Sequence, residues 1–115
     1  MFIIGELING MYKDVRRAIQ QKDKSVIQRL AKEQVDAGCQ ALDLNCGPAS
    51  RNPASDMVWF VSIVQEVTDK VLCLDSTKAN AIEEGLKVAK NKAIINSTSA
   101  DKEKLDILVP LALKY

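Results

Sequence analysis

Four short aliphatic runs, each followed by a longer stretch with helical spacing, constrain the fold of this chain more than any other feature. The runs are Phe2 to Ile8, Ala41 to Cys46, Val71 to Ser76 and Lys92 to Ser97, all of strand length. The first helix is expected over Val26 to Ala37. Ser25-Val26-Ile27-Gln28 has the form of a capping box, Val26, Leu30, Ala31 and Val35 mark one face, and Gly38 follows as the C′ residue. Asn52-Pro53-Ala54-Ser55 opens a second helix, along which Met57, Phe60, Val61, Val64 and Val67 recur at three and four residues, with Trp59 beside the stripe as packing. Ala79, Ile82, Leu86 and Ala89 outline a third helix. Leu105, Leu108, Val109 and Ala112 outline a fourth, which Pro110 should kink or end. An extra segment, Asn9 to Lys24, begins at the turn pair Asn9-Gly10 and holds a short helix near Val15 to Ile19; its charged cluster Lys13-Asp14-Val15-Arg16-Arg17 reads as a solvated face.

The repeated β-α order implies a parallel sheet covered by helices. Two architectures satisfy it, an open doubly wound sheet and part of a (β/α)8 barrel. No G-x-G-x-x-G follows a strand and no G-x-x-x-x-G-K-[ST] occurs, so dinucleotide and P-loop readings lose their main support.

Composition removes further classes. The chain has no histidine, so a Ser-His-Asp triad, a Cys-His pair or a histidine zinc site would need an imidazole from a partner. Cys39, Cys46 and Cys73 are odd in number and show no C-x-x-C spacing, which argues for reduced, partly buried thiols rather than a disulfide framework or closed metal site. Sixteen basic residues against fifteen acidic ones give a net charge of +1, which is not the footprint of a nucleic-acid binder. The longest apolar runs, Val58 to Val64 and Ile107 to Leu113, fall well short of the ~20 residues of a membrane span. The N-terminal Met1 to Glu6 lacks the basic and long apolar regions of a signal peptide, so a cytoplasmic location is expected.

The polar residues that close the strands carry the chemistry. Side chains alternate along a strand, so Leu42 and Leu44 point one way while Asp43 and Asn45 point the other. Leu72 and Leu74 likewise oppose Cys73 and Asp75; Asn96 shares parity with Ile94, and Glu6 with Ile4. If the leucines face the helices, Asp43, Asn45 and Asp75 converge on the opposite face at the carboxyl ends of parallel strands, where barrel enzymes bind substrates. Carboxylates accept hydrogen bonds and amides both donate and accept, so the set suits a ligand with adjacent N–H donors, such as the 2-amino-4-oxo-pyrimidine edge of a pterin.

Gly5-Glu6-Leu7-Ile8-Asn9-Gly10, Leu42-Asp43-Leu44-Asn45-Cys46-Gly47-Pro48, Cys73-Leu74-Asp75-Ser76-Thr77 and Ile95-Asn96-Ser97-Thr98 stand in the order seen in pterin-binding methyltransferases. The chain resembles the methyltetrahydrofolate:corrinoid/iron-sulfur protein methyltransferases over essentially its whole length. It is also similar to the pterin domain of cobalamin-dependent methionine synthase and, more distantly, to dihydropteroate synthase. The resemblance implies a TIM (β/α)8 barrel, with residues 1–115 as the N-terminal half and about the first four βα units. It further implies transfer of the N5 methyl group of methyltetrahydrofolate to the cobalt of a corrinoid (cobalamin) carried by a partner corrinoid/iron-sulfur protein, with the enzyme a homodimer. Asp75 and Asn96 match positions that hydrogen-bond the pterin, and Asn96 is the expected catalytic residue. Glu6, Asn9, Asp43 and Asn45 lie in the same strand-end motifs and are expected around the substrate. Leu7 departs from the arginine common at its position.

Plainer roles stand beside these. Asp75 could cap the third helix, Asn96 could serve a turn and N-cap, and Asn9-Gly10 is an ordinary turn pair. Glu6, Asp43 and Asp75 could instead coordinate magnesium in an enolisation or lyase site. Because a full barrel takes ~250 residues, 115 residues could also be an incomplete barrel or associating half, with strands one and four as open edges and little activity of its own.

Overall fold

The computed structural model describes residues 1–96 and 114–115. Its elements follow in the order β1 (Ile4–Asn9), α1 (Lys13–Gln21), α2 (Lys24–Asp36), β2 (Ala41–Asn45), α3 (Pro53–Gln65), β3 (Val71–Asp75), α4 (Ala79–Val88) and β4 (Ile94–Asn96). The strands form one parallel sheet in the order β1-β2-β3-β4. That sequential order decides between the two architectures, because a doubly wound sheet reverses direction at a switch point and a barrel does not. The described residues thus build three βα units and a fourth strand of a TIM barrel. The expected helix over Leu105 to Ala112 lies outside them.

One face of the sheet carries the core. Leu42, Leu44, Leu72 and Leu74 pack with Ile27, Met57, Phe60, Val64 and Ile82 from the helices. Ala41, Asp43 and Cys73 point the other way and are also buried, but lie outside that apolar cluster. The alternation read from the sequence holds along β2 and β3. No helix among the described residues is long and apolar enough to cross a membrane.

Helix boundaries follow local chemistry, with one correction. Asn52 caps α3 by accepting from Ser55 N at 3.2 Å, and Pro53 takes the first turn, where its missing N–H costs nothing. Helix α2 ends in a Schellman motif: Cys39 N bonds Gln34 O and Gly38 N bonds Val35 O, both at 3.0 Å, with Gly38 at φ +102°. Its start, however, is not the expected capping box. Asp23 is the N-cap, accepting from Ser25 N at 3.1 Å, while Gln28 reaches away to Ile63 O and Glu66 Oε1. An aspartate two residues upstream competes for the same donors, and Gln28 finds better acceptors on α3.

The short helix expected near Val15 to Ile19 is α1, and it buries Val15, Ala18 and Ile19. It ends at Lys22, a non-glycine residue in the left-handed region at φ 53°. Such a conformation is unfavourable for a lysine by about 1 kcal/mol, yet it directs the side chain usefully. Lys22 Nζ meets Asp56 Oδ1 of α3 at 2.9 Å and lies 4.9 Å from the ring centroid of Trp59. Trp59 in turn stacks on Phe60, as a residue packed against the core.

Candidate functional site

The carboxyl ends of β2, β3 and β4 place the predicted side chains side by side. Asn45, Asp75 and Asn96 are in register across the three strands, and two residues below them, on the same face, Asp43, Cys73 and Ile94 form a second row. Asn96 reaches diagonally over β3: its Nδ2 donates to Asp43 Oδ1 at 3.1 Å. A carboxylate only accepts, so this bond fixes which end of the Asn96 amide faces Asp43 and leaves the carbonyl end for another partner.

Asp43 is 4% exposed. Its carboxyl is pushed up from the ordinary 3.8 to about 6, chiefly by burial. The Asn96 hydrogen bond opposes that rise, while the charges of Asp75 and Glu6 add to it. Cys73 shares the row, and its thiol is pushed up to about 11 by burial and by the same two aspartates. Asp75 is not a helix cap. Helix α4 begins after Lys78 with no side-chain cap, and Ser76 Oγ is the group that accepts from Lys78 N, at 3.0 Å. Asp75 instead lines a recess of about 310 Å³ at the strand ends, together with Asn45, Ser76 and Thr77.

The remaining predicted residues sit differently. Asn9 and Asn45 are in register at the ends of β1 and β2, and each closes an Asx turn: Asn9 Oδ1 accepts from Met11 N at 2.9 Å and Asn45 Oδ1 from Gly47 N at 2.8 Å. Their oxygens are therefore committed to the backbone, which leaves only the amide N–H groups for a ligand. These turns bring Gly10 against Gly47. A Cβ on Gly10 would lie 1.9 Å from the carbonyl oxygen of Cys46, and Gly47 adopts φ +81°.

Glu6 departs from simple alternation. Gly5 pairs with Leu42 and Ile8 with Leu44, so Glu6 and Leu7 together oppose the single residue Asp43. This bulge turns Ile8, which alternation would put on Glu6's face, into the core at 0% exposure and leaves both Glu6 and Leu7 exposed. Its support comes from a residue that the apolar pattern of α2 conceals. Gln34 is buried on the sheet side of that helix, with Oε1 accepting from Leu7 N at 3.0 Å and Nε2 donating to Leu30 O at 3.3 Å. Gly5 makes room for it, since a Cβ there would stand 2.3 Å from Gln34 Oε1. The signal available in sequence was Gly5 itself, because a glycine inside a strand marks close approach or a bulge.

Among the described residues, no group of three or more carboxylate or thiol side chains is arranged to hold a metal ion, so Glu6, Asp43 and Asp75 do not form a three-ligand site. What the strand ends offer is acceptor oxygens on two aspartates and an oriented amide. That set matches adjacent N–H donors on a flat heterocycle.

Comparison with known proteins shows the family. The family model described as pterin binding enzyme matches residues 10–113. A methylcorrinoid:tetrahydrofolate methyltransferase of Eubacterium limosum is 34% identical over 111 residues, which is 96% of this chain and 41% of the relative. The chain thus spans about two-fifths of the length of that relative.

Proposed function

We propose, on the premise that this chain belongs to the pterin-binding enzyme family, that it supplies the β1 to β4 side of a site where a folate exchanges its N5 methyl group with a corrinoid. The observation that carries the reading is the Asn96 to Asp43 hydrogen bond, with Asp75 in register beside Asn96 at the strand ends. Asp75 receives the paired N–H groups of the pterin's pyrimidine edge. Asn96, held by Asp43, turns its carbonyl to a ring N–H and positions the reacting side of the pterin. Asp43 is the positioning residue behind it. Glu6, Asn9 and Asn45 border the same mouth, the two asparagines through their N–H groups.

The residues fit a folate because their free groups are mostly acceptors, matching a donor-rich edge, and because they stand at the end of the barrel where substrates bind. When bound, a corrinoid supplies the cobalt that takes or gives the methyl group. The chain's own contribution is to hold the folate still and to present fixed dipoles, an effect worth ~7–11 kcal/mol when the reacting groups are well oriented. The relative's name writes the transfer from methylcorrinoid to tetrahydrofolate, whereas the resemblance implies the opposite direction. The same contacts serve both, since forward and reverse transfer share one transition state. Delivery of the corrinoid by a partner corrinoid/iron-sulfur protein, pairing as a homodimer and a cytoplasmic location belong to the same reading.

The test is methyl exchange between methyltetrahydrofolate and a corrinoid, followed by the corrinoid's visible spectrum, in the full-length protein and its Asn96→Ala variant. Exchange in the first and its loss in a variant that keeps its thermal transition support the proposal. Undiminished exchange in Asn96→Ala counts against it.

A further inference from the structure

A second recess, of about 430 Å³, lies on the same end of the sheet, between α1 and the segment that joins β2 to α3. Helix α1 follows the carboxyl end of β1 and the joining segment follows that of β2, so the recess opens on the side where Asp75 and Asn96 sit. Arg16, Lys22 and Arg51 line it, with Asp56 as the one carboxylate. That carboxylate is already satisfied by Lys22 Nζ at 2.9 Å and by Ser50 Oγ at 2.5 Å. Arg16 and Arg51 are exposed and have no ion-pair partner among the described residues. The lining therefore carries a positive excess of two arginines, the side chains best shaped to grip carboxylates.

The recess and the strand-end one flank the same β2 to α3 segment. Cys46 and Ser50 line both, so a ligand anchored at Asp75 can pass around the β2 to α3 segment into the basic recess. We propose that this recess takes the γ-glutamyl tail of a folate, with Arg16 and Arg51 pairing to its carboxylates and favouring substrates with several glutamates. The inference rests on the folate reading above. A concave recess with two forked cations suits a flexible chain of carboxylates, and Lys22 serves as the anchor of α1 through Asp56 and Trp59 rather than as a ligand.

The experiment titrates tetrahydrofolate monoglutamate and pentaglutamate against the full-length protein and its Arg16→Ala/Arg51→Ala variant, at low and physiological salt. Both arginines are exposed, so the variant keeps its fold, which its thermal transition checks. The pentaglutamate should bind about five- to tenfold tighter than the monoglutamate, an advantage that shrinks with salt and falls to within twofold in the variant. Equal affinity for the two ligands, or an advantage that survives loss of both arginines, overturns the tail site and leaves the folate reading standing. Failure of the monoglutamate and pentaglutamate alike to bind overturns both.

Discussion

Asn96 and Asp43 are joined across an intervening strand, Nδ2 to Oδ1 at 3.1 Å, although β2 and β4 are not neighbours in the sheet. The bond is possible because Cys73, between them on β3, is small, and because parallel register puts Asn96 two residues beyond the level of Asp43, on the same face. A polar bridge of this kind on the inward face of a barrel sheet ties strand geometry to the orientation of one amide.

The buried Asp43 carboxyl gives that bridge a pH signature. Its folded pKa of about 6 lies above the ordinary 3.8, chiefly through burial, so the folded chain holds the proton more tightly than the unfolded one. Stability from this group is therefore fully present below about 3.8 and is lost as pH rises through about 6. Asp43→Asn should remove the loss. Urea midpoints of the two full-length proteins between pH 4 and 7.5 should diverge in favour of the variant as pH rises and level off above about 7. Parallel curves would show that Asp43 titrates as an ordinary carboxyl.

The contact of Gly10 with the β2 to α3 segment has no slack. A methyl group on Gly10 meets the Cys46 carbonyl at 1.9 Å and displaces backbone rather than a flexible side chain. Gly10→Ala should destabilise the full-length protein by about 1–3 kcal/mol and lower its thermal midpoint. Gly38→Ala is the contrasting control: Gly38, unlike Gly10, has positive φ, but nothing lies within 4 Å of it, so only the conformational cost of about 1 kcal/mol applies. An equal loss in both would refute the steric account.

The three thiols should separate by reactivity. Burial pushes Cys46 up to about 12 and Cys73 up to about 11, and both are buried, whereas Cys39 is half-buried. Iodoacetamide at pH 8 should modify Cys39 well ahead of the other two, as read by peptide mass spectrometry under native conditions, with the difference erased in denaturant. Early modification of Cys73 would mean that the Asp43 row is open to solvent.

The strand ends are legible in the sequence because Asn45, Asp75 and Asn96 each close an aliphatic run and Asp43 interrupts one, and alternation assigns their faces wherever the strand is regular. Local pattern fails where the deciding partner is distant. Gly5 is the one local hint of the bulge, whose support comes from Gln34, 27 residues from Leu7, with Oε1 accepting from Leu7 N while Nε2 donates to Leu30 O of its own helix. The start of α2 goes to Asp23 because Lys22, in a left-handed turn fixed by Asp56 on α3, ends α1 immediately before it. Asn9 and Asn45 have composition suited to a ligand and to a turn alike, and only the positions of Met11 N and Gly47 N reveal how their oxygens are used. The basic recess is invisible in sequence for the same reason: Arg16 belongs to a charged cluster that reads as solvated surface, and Arg51 meets it only through the fold.

The central claim, that Asp75 receives the pterin's paired N–H groups, is tested most directly by calorimetric titration of tetrahydrofolate into full-length protein and its Asp75→Ala variant. Hydrogen bonds to a charged group contribute about 1.5–3 kcal/mol, so the variant should bind about ten- to a hundredfold more weakly while its thermal midpoint stays close to that of the parent. An affinity within twofold of the parent's, in a variant that remains folded, would contradict the account.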